Sequence, residues 1–172
     1  AKEDFVRHRS TWDAPMSTSY RGYDVWELPP NTQGLAALQM LNLLEGFDLS
    51  KMGRDSADFW HVMGEAKKVA YADRARFYAD PAFAKLPLER LLSKEYAKER
   101  AKKIDVKRAS REDPPDEELV LNRKETTYLC AADSSGLMVS LIQSNYTGFG
   151  SGYVVPALGI GIHNRGGLFS LK

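Results

Sequence analysis

The chain has 172 residues, of which 43% are apolar and 27% charged, and a net charge of +1. That length suffices for one domain with a real core, and the near-neutral balance argues for neither nucleic acid nor a membrane as partner. No apolar run approaches the roughly 18 residues of a membrane helix. The opening AKEDFVRHRST lacks the apolar core of a secretion signal, which leaves a cytoplasmic and a periplasmic or secreted parent equally open. Cys130 is the only cysteine, so an internal disulfide and a cysteine-rich metal site are excluded. Within its apolar run it reads as a small buried filler. His8, His61 and His163 lie far apart without ligand spacing, and neither a metal nor a cofactor is expected.

Residues 1–19 read as a polar connector with weak helical character near the start. The alternation in YRGYDVWEL predicts a strand over 20–28, with Gly22 as a bulge. Pro29-Pro30-Asn31-Thr32 stops it and offers Asn31 or Thr32 as a helix N-cap. Leu35, Leu38, Leu41 and Leu44 then follow helical spacing up to Gly46. A longer helix starts after Asp55 or Ser56, carries an apolar stripe through Phe59, Val62, Met63, Ala66, Val69 and Ala70, and ends at Asp80-Pro81. That stripe reads as core, and Lys67, Asp73, Arg74 and Arg76 as its solvated face. A third helix spans about 87–104, with Leu91, Leu92, Tyr96 and Ala101 facing inward.

Ser110 to Glu118, SREDPPDEE, reads as an exposed loop. Beyond it the composition changes sharply. From Thr126 onward the only formal charges are Asp133, Arg165 and Lys172, and this tail holds 8 of the 13 glycines. Residues 127–133 and 137–145 read as strands joined by an Asp-Ser-Ser-Gly turn. A glycine-rich loop follows over 146–152, then a third strand over 159–164. The whole is α+β, helices first and antiparallel strands after residue 126. Its two parts, 1–125 and 126–172, are expected to form together one incomplete domain.

The junction Glu125–Thr126 can carry chemistry. A threonine hydroxyl needs an adjacent base to act as nucleophile. If the peptide bond before Thr126 breaks, its own amino group supplies that base, with an ordinary pKa of about 7.7–8.0. Thr126 would attack the Glu125 carbonyl, pass through an ester, and be released by water. Ser144 and Asn145 are candidates to hold the new amine. The same residues also have a plainer reading, since threonine pairs are common at strand starts. The glycine-rich loop lacks the Gly-Lys-Ser/Thr ending of a phosphate loop.

YRGYDVWELPPNTQG resembles the large-subunit signature of the gamma-glutamyltranspeptidase family, and EAKKVAYADRARFYADPAF is similar to that family's AYADR segment. TTYLCAADSSGLMVSLIQSNYTGFGSGYVVP resembles the start of its small subunit, and these elements stand in the family's order from Asp4 onward. The resemblance implies the four-layer αββα sandwich of N-terminal-nucleophile hydrolases and a precursor that splits itself in two. By position it makes Thr126 the catalytic threonine and Ser144 its helper at the new amino terminus. It also implies a small-molecule amide substrate, and as partner the rest of the same precursor, missing here together with its oxyanion-hole segment.

Several positions depart from that pattern. The usual third residue after the cleavage point is histidine, here Tyr128. The residues that read a substrate α-amino group fall on Tyr146, Arg165 and Leu168. A cationic Arg165 repels an ammonium and attracts a carboxylate. IGIHNRGGLFSL looks like the cephalosporin-acylase-like branch. The expected activity is therefore transfer of a γ-glutamyl or glutaryl-type acyl group through Thr126, with Asn145, Tyr146 and Arg165 lining the pocket. The excerpt alone is expected to be inactive. The alternative is an unprocessed assembly unit whose exposed apolar face favours self-association.

Overall fold

The computed structural model of the chain describes residues 2–111 and 126–168. It divides into two compact units, residues 1–117 and 118–172.

The first unit opens with α1 (Lys2–Arg7), followed by a hairpin of β1 (Met16–Tyr20) and β2 (Tyr23–Glu27) in antiparallel register. β1 was not expected, because MSTSY offers little hydrophobic signal. Its alternation is nevertheless real, with Met16 and Thr18 both buried. Gly22 is not a bulge. With Arg21 at φ 51° and Gly22 at φ 88°, the pair forms the tight turn between the strands, where positive φ at both positions matches the strand twist.

Helix α2 (Gly34–Leu44) buries Leu35, Leu38, Leu43 and Leu44, and also the polar Gln39 and Asn42. Its N-cap is Gln33, which makes no side-chain cap, so neither Asn31 nor Thr32 takes that role. The Thr32 hydroxyl donates to Leu28 O at 2.9 Å and accepts from Gly34 N–H at 3.4 Å. A short α3 (Leu49–Met52) is capped by Asp48, and the long α4 (Ala57–Phe77) by the Ser56 hydroxyl, which accepts from Phe59 N–H. The α4 stripe is core as read, with Val62, Ala66, Val69 and Ala70 packed against Leu43, Leu44 and Ile104. A second cluster joins Met16, Leu35, Leu38, Leu91 and Tyr96. Full burial of a side chain such as Leu35 or Leu38 contributes about 1.5–3 kcal/mol.

The single helix expected over 87–104 is two, α5 (Leu88–Leu92) and α6 (Lys94–Ala101). Ser93 breaks them apart, its extended backbone ending one helix while its hydroxyl caps Tyr96 N–H of the next. Asp73 does not belong to the solvated face of α4. It is buried, accepting from Gln39 Nε2 at 3.0 Å and from the Tyr96 hydroxyl at 3.1 Å, and pairing with Arg100 at 2.9 Å. Burial first, and then the Asp73 charge, push the Tyr78 and Tyr96 hydroxyls up from their ordinary range, so both stay donors. Of the expected exposed loop, Ser110 is tied to α4, donating its N–H to Glu65 and accepting from Lys68 Nζ. Residues 112–118 lie outside the described residues.

The second unit is strand and turn. β3 (Thr126–Ala132) and β4 (Met138–Ser144) form one antiparallel hairpin, with Thr126 opposite Ser144 and Ala132 opposite Met138. Asp133 organises its turn, accepting from Ser135 N–H, the Ser135 hydroxyl and Leu137 N–H. Those bonds, the Ser135 hydroxyl first, hold its carboxyl below the usual range. The strand expected over 159–164 shrinks to β6 (Ile160–Gly161), paired with β5 (Val154–Val155). Both faces of β3–β4 are open, with Leu141 55% and Ile142 66% exposed. Cys130 is accordingly exposed and not a buried filler, because no second layer covers its strand among the described residues. The class is α+β, and no described helix is long and apolar enough to cross a membrane.

Candidate active site

Thr126 is the first residue of β3 and Ser144 the last of β4, and antiparallel register sets them opposite each other. Their hydroxyl oxygens are 2.9 Å apart. Two further groups converge on the Ser144 hydroxyl, which accepts from Tyr146 N–H at 3.0 Å and from Arg165 Nη2 at 3.1 Å. The Arg165 guanidinium lies over the Tyr146 ring, 5.0 Å from its centroid, a cation–π contact. Thr126 and Arg165 are exposed, while Ser144, Asn145 and Tyr146 are half-buried.

Arg165 follows β4 by a long excursion and needs a local reason to return to Ser144. The glycine-rich loop supplies it. Ser151 N–H and its hydroxyl both donate to Ile162 O, at 2.9 and 2.8 Å. Asn164 N–H donates to Asn145 O at 3.2 Å, and its side chain brackets Thr147, accepting from Thr147 N–H and donating to the Thr147 hydroxyl. Gly150 sits where a Cβ would come within 2.6 Å of Ile162 O, and its φ of +70° also favours glycine. Tyr146 has φ 80°, a strained value for a bulky residue. That turn aims its N–H at Ser144 while its ring lies under Arg165.

Of the residues read from sequence, Thr126, Ser144, Tyr146 and Arg165 thus come together. The Asn145 carbonyl accepts from Asn164 N–H and so ties the loop rather than the hydroxyl pair. Glu125 lies outside the described residues. Thr147, Gly150 and Asn164 were not anticipated. Their sequence signal is faint, since the loop's glycines mark a turn without saying what it closes upon. A hydroxyl pair beside a fixed cation can carry acyl transfer once a base is provided, and its donors suit an anionic or carbonyl oxygen.

The sequence matches the gamma-glutamyltranspeptidase family over residues 1–172. It is 43% identical over 169 residues to the glutathione hydrolase-like YwrD proenzyme of Bacillus subtilis (strain 168), covering 98% of this chain and 31% of that relative. It is 38% identical over 165 residues to the acylase ACY 1 proenzyme of Pseudomonas sp. (strain SE83), covering 94% of this chain and 29% of that one. The crystal structure of cephalosporin acylase from Bacillus halodurans superposes with a TM-score of 0.79 at 44% identity, over 99% of this chain and 30% of that one. The chain therefore spans about a third of the length of these relatives.

Proposed function

The chain belongs to the gamma-glutamyltranspeptidase family, and on that premise we propose that it carries the self-cleavage junction and nucleophile of an amide hydrolase or acyl transferase. The observation that carries this reading is the 2.9 Å contact between the Thr126 and Ser144 hydroxyls at the open end of the β3–β4 hairpin. In the first step the Thr126 Oγ1 attacks the Glu125 carbonyl, the C–N bond breaks, and an ester forms. Water then hydrolyses the ester, leaving a Glu125 carboxylate and a free Thr126 amino group. Residues 1–125 and 126–172 accordingly belong to a large and a small subunit of one precursor.

In turnover, the Thr126 amine takes the hydroxyl proton as Oγ1 attacks the substrate amide, and passes it to the departing amine. Water or an acceptor amine then releases the acyl group from Thr126. Ser144 holds the new amino terminus and the hydroxyl in line. The acyl group is γ-glutamyl or glutaryl-like, and the cation of Arg165 above Tyr146 favours the glutaryl-like member, which has the carboxylate without an α-ammonium. The substrate is a small-molecule amide, and the partner segments belong to a precursor longer than this chain, as in the proenzymes it matches.

The test is Thr126→Ala in the full-length protein, followed by intact mass and by turnover of γ-glutamyl-4-nitroanilide and glutaryl-4-nitroanilide. The expected result is an uncut, inactive chain. Unchanged cleavage before residue 126 would sink the proposal and favour a unit that acts only by assembly.

A further inference from the structure

Arg165 is held at several points. Its guanidinium lies on the Tyr146 ring, and Nη2 donates to Ser144. Its backbone N–H donates to His163 Nδ1 at 3.2 Å, and it opens a 3-10 turn over Arg165–Leu168. Asn164, the residue before it, is bracketed by Thr147. Tyr146 serves both ends of this arrangement, and its positive φ is the backbone distortion that lets it do so. The contacts of 3.1 and 2.9 Å through Ser144 put Nη2 within about 6 Å of the Thr126 hydroxyl oxygen.

We propose that Arg165 is a positioning residue for the nucleophile, a fixed positive charge two hydrogen bonds from Thr126 that favours the unprotonated forms of its amino group and hydroxyl. This rests on the reading of Thr126 as nucleophile. A nearby cation disfavours an ammonium and stabilises a developing alkoxide. The amine would thus be neutral at a lower pH than its ordinary value of about 7.7–8.0.

Among the described residues of this unit, little opposes this field. Asp133, the other formal charge among the described residues of this unit, stands at the far end of the hairpin. Seven residue steps separate it from Thr126, about 23 Å at the usual rise and beyond the roughly 8 Å screening length. Tyr146 lies beneath the guanidinium, and His163 faces the Arg165 backbone. Tyr128, on Thr126's own strand, takes a hydrogen bond from Ser140 on β4. Arg123, Lys124 and Glu125 precede Thr126 outside the described residues, and cleavage detaches them from it.

A substrate-binding arginine and a positioning arginine differ in one respect. Self-cleavage involves no substrate, so only the second kind affects it. The experiment uses the full-length protein as wild type, Arg165→Gln and Arg165→Lys. Precursor cleavage is followed by intact mass, and the acid limb of log kcat against pH is measured on the cleaved enzyme with the two nitroanilides. Arg165→Gln is expected to slow cleavage about tenfold and to move the acid limb up by about 0.5–1 pH unit, the size of an exposed, partly screened interaction. Arg165→Lys should restore most of the limb, and 1 M NaCl should move the wild-type limb in the direction of Arg165→Gln.

Wild-type cleavage by Arg165→Gln, with only KM raised and the limb in place, would overturn the proposal. So would Arg165→Lys behaving like Arg165→Gln. If Arg165→Gln yields no folded precursor, a wild-type limb that does not respond to salt overturns it equally. Failure of the nucleophile reading shows separately, as cleavage and turnover that survive Thr126→Ala.

Discussion

Thr126 and Ser144 face each other across the last rung of one hairpin, hydroxyl to hydroxyl at 2.9 Å. Cross-strand register produces this contact, so it survives only while all seven residue pairs of β3 and β4 stay in step. Ser144→Ala keeps the strand and removes the hydroxyl. In the full-length protein it should slow precursor cleavage about 10- to 100-fold, the value of one hydrogen bond to a charged or developing charge. Intact mass against time measures this, and a wild-type half-time would refute it.

Gly150→Ala tests the loop that returns Arg165 to the site. Its Cβ would meet Ile162 O at 2.6 Å in a left-handed backbone, so the 162–165 segment must shift. The expected cost is about 1–3 kcal/mol, confined to the loop. Amide exchange at Ser151 and Ile162, whose N–H groups join the two segments, should accelerate while α4 keeps its protection. Uniform acceleration across the protein would contradict the local account.

Asp73→Ala should be the most destabilising single change among these. It leaves Arg100 without its ion pair, and Gln39 and Tyr96 without their acceptor, in the interior of the first unit. Removing one partner of a buried pair costs about 3–5 kcal/mol. Tyr78→Phe removes one hydrogen bond, 2.6 Å to Gln39 Oε1, and should cost about 1 kcal/mol. Urea unfolding of both variants in the full-length protein gives the ratio. Equal losses would show that Asp73 is not the hub.

Glu45 supplies a pH dependence with a definite sign. The hydrogen bond from Lys94, at 2.7 Å, holds its carboxyl below the usual value, with the Lys94 and Arg21 charges adding and partial burial opposing. A lowered folded pKa stabilises above the unfolded value of about 4.3 and ceases to as pH falls through the folded one. Glu45→Gln should therefore cost at most about 0.5 kcal/mol at pH 7, the pair being well exposed, and nothing well below pH 4. A difference that persists in acid would show that packing, not charge, is lost.

Much of the local structure was legible in the residues. Ser56 announced the start of α4, the stripe from Val62 to Ala70 its buried side, and Asp133 with Gly136 the hairpin turn. Each is a relation between residues a few positions apart, where backbone geometry alone decides. Asp73 failed that logic, because its charge reads as solvated although it stands three and four residues after Ala70 and Val69 on the buried face. It is buried because Tyr96 and Arg100 of α6 arrive from another helix. Cys130 failed in the opposite direction, because an apolar run promises burial only if something covers it.

By itself the sequence determined the family, the α+β class and the hairpin whose strands lie on either side of the Asp133–Gly136 turn, because motif order and strand alternation are written in the chain. Only the tertiary structure decided that Arg165, 21 residues beyond Ser144, returns to its hydroxyl. That return depends on Gly150 passing beneath Ile162, on Asn164 bracketing Thr147 and on Tyr146 turning through positive φ. Contacts between distant segments obey no period, so no spacing in the sequence encodes them.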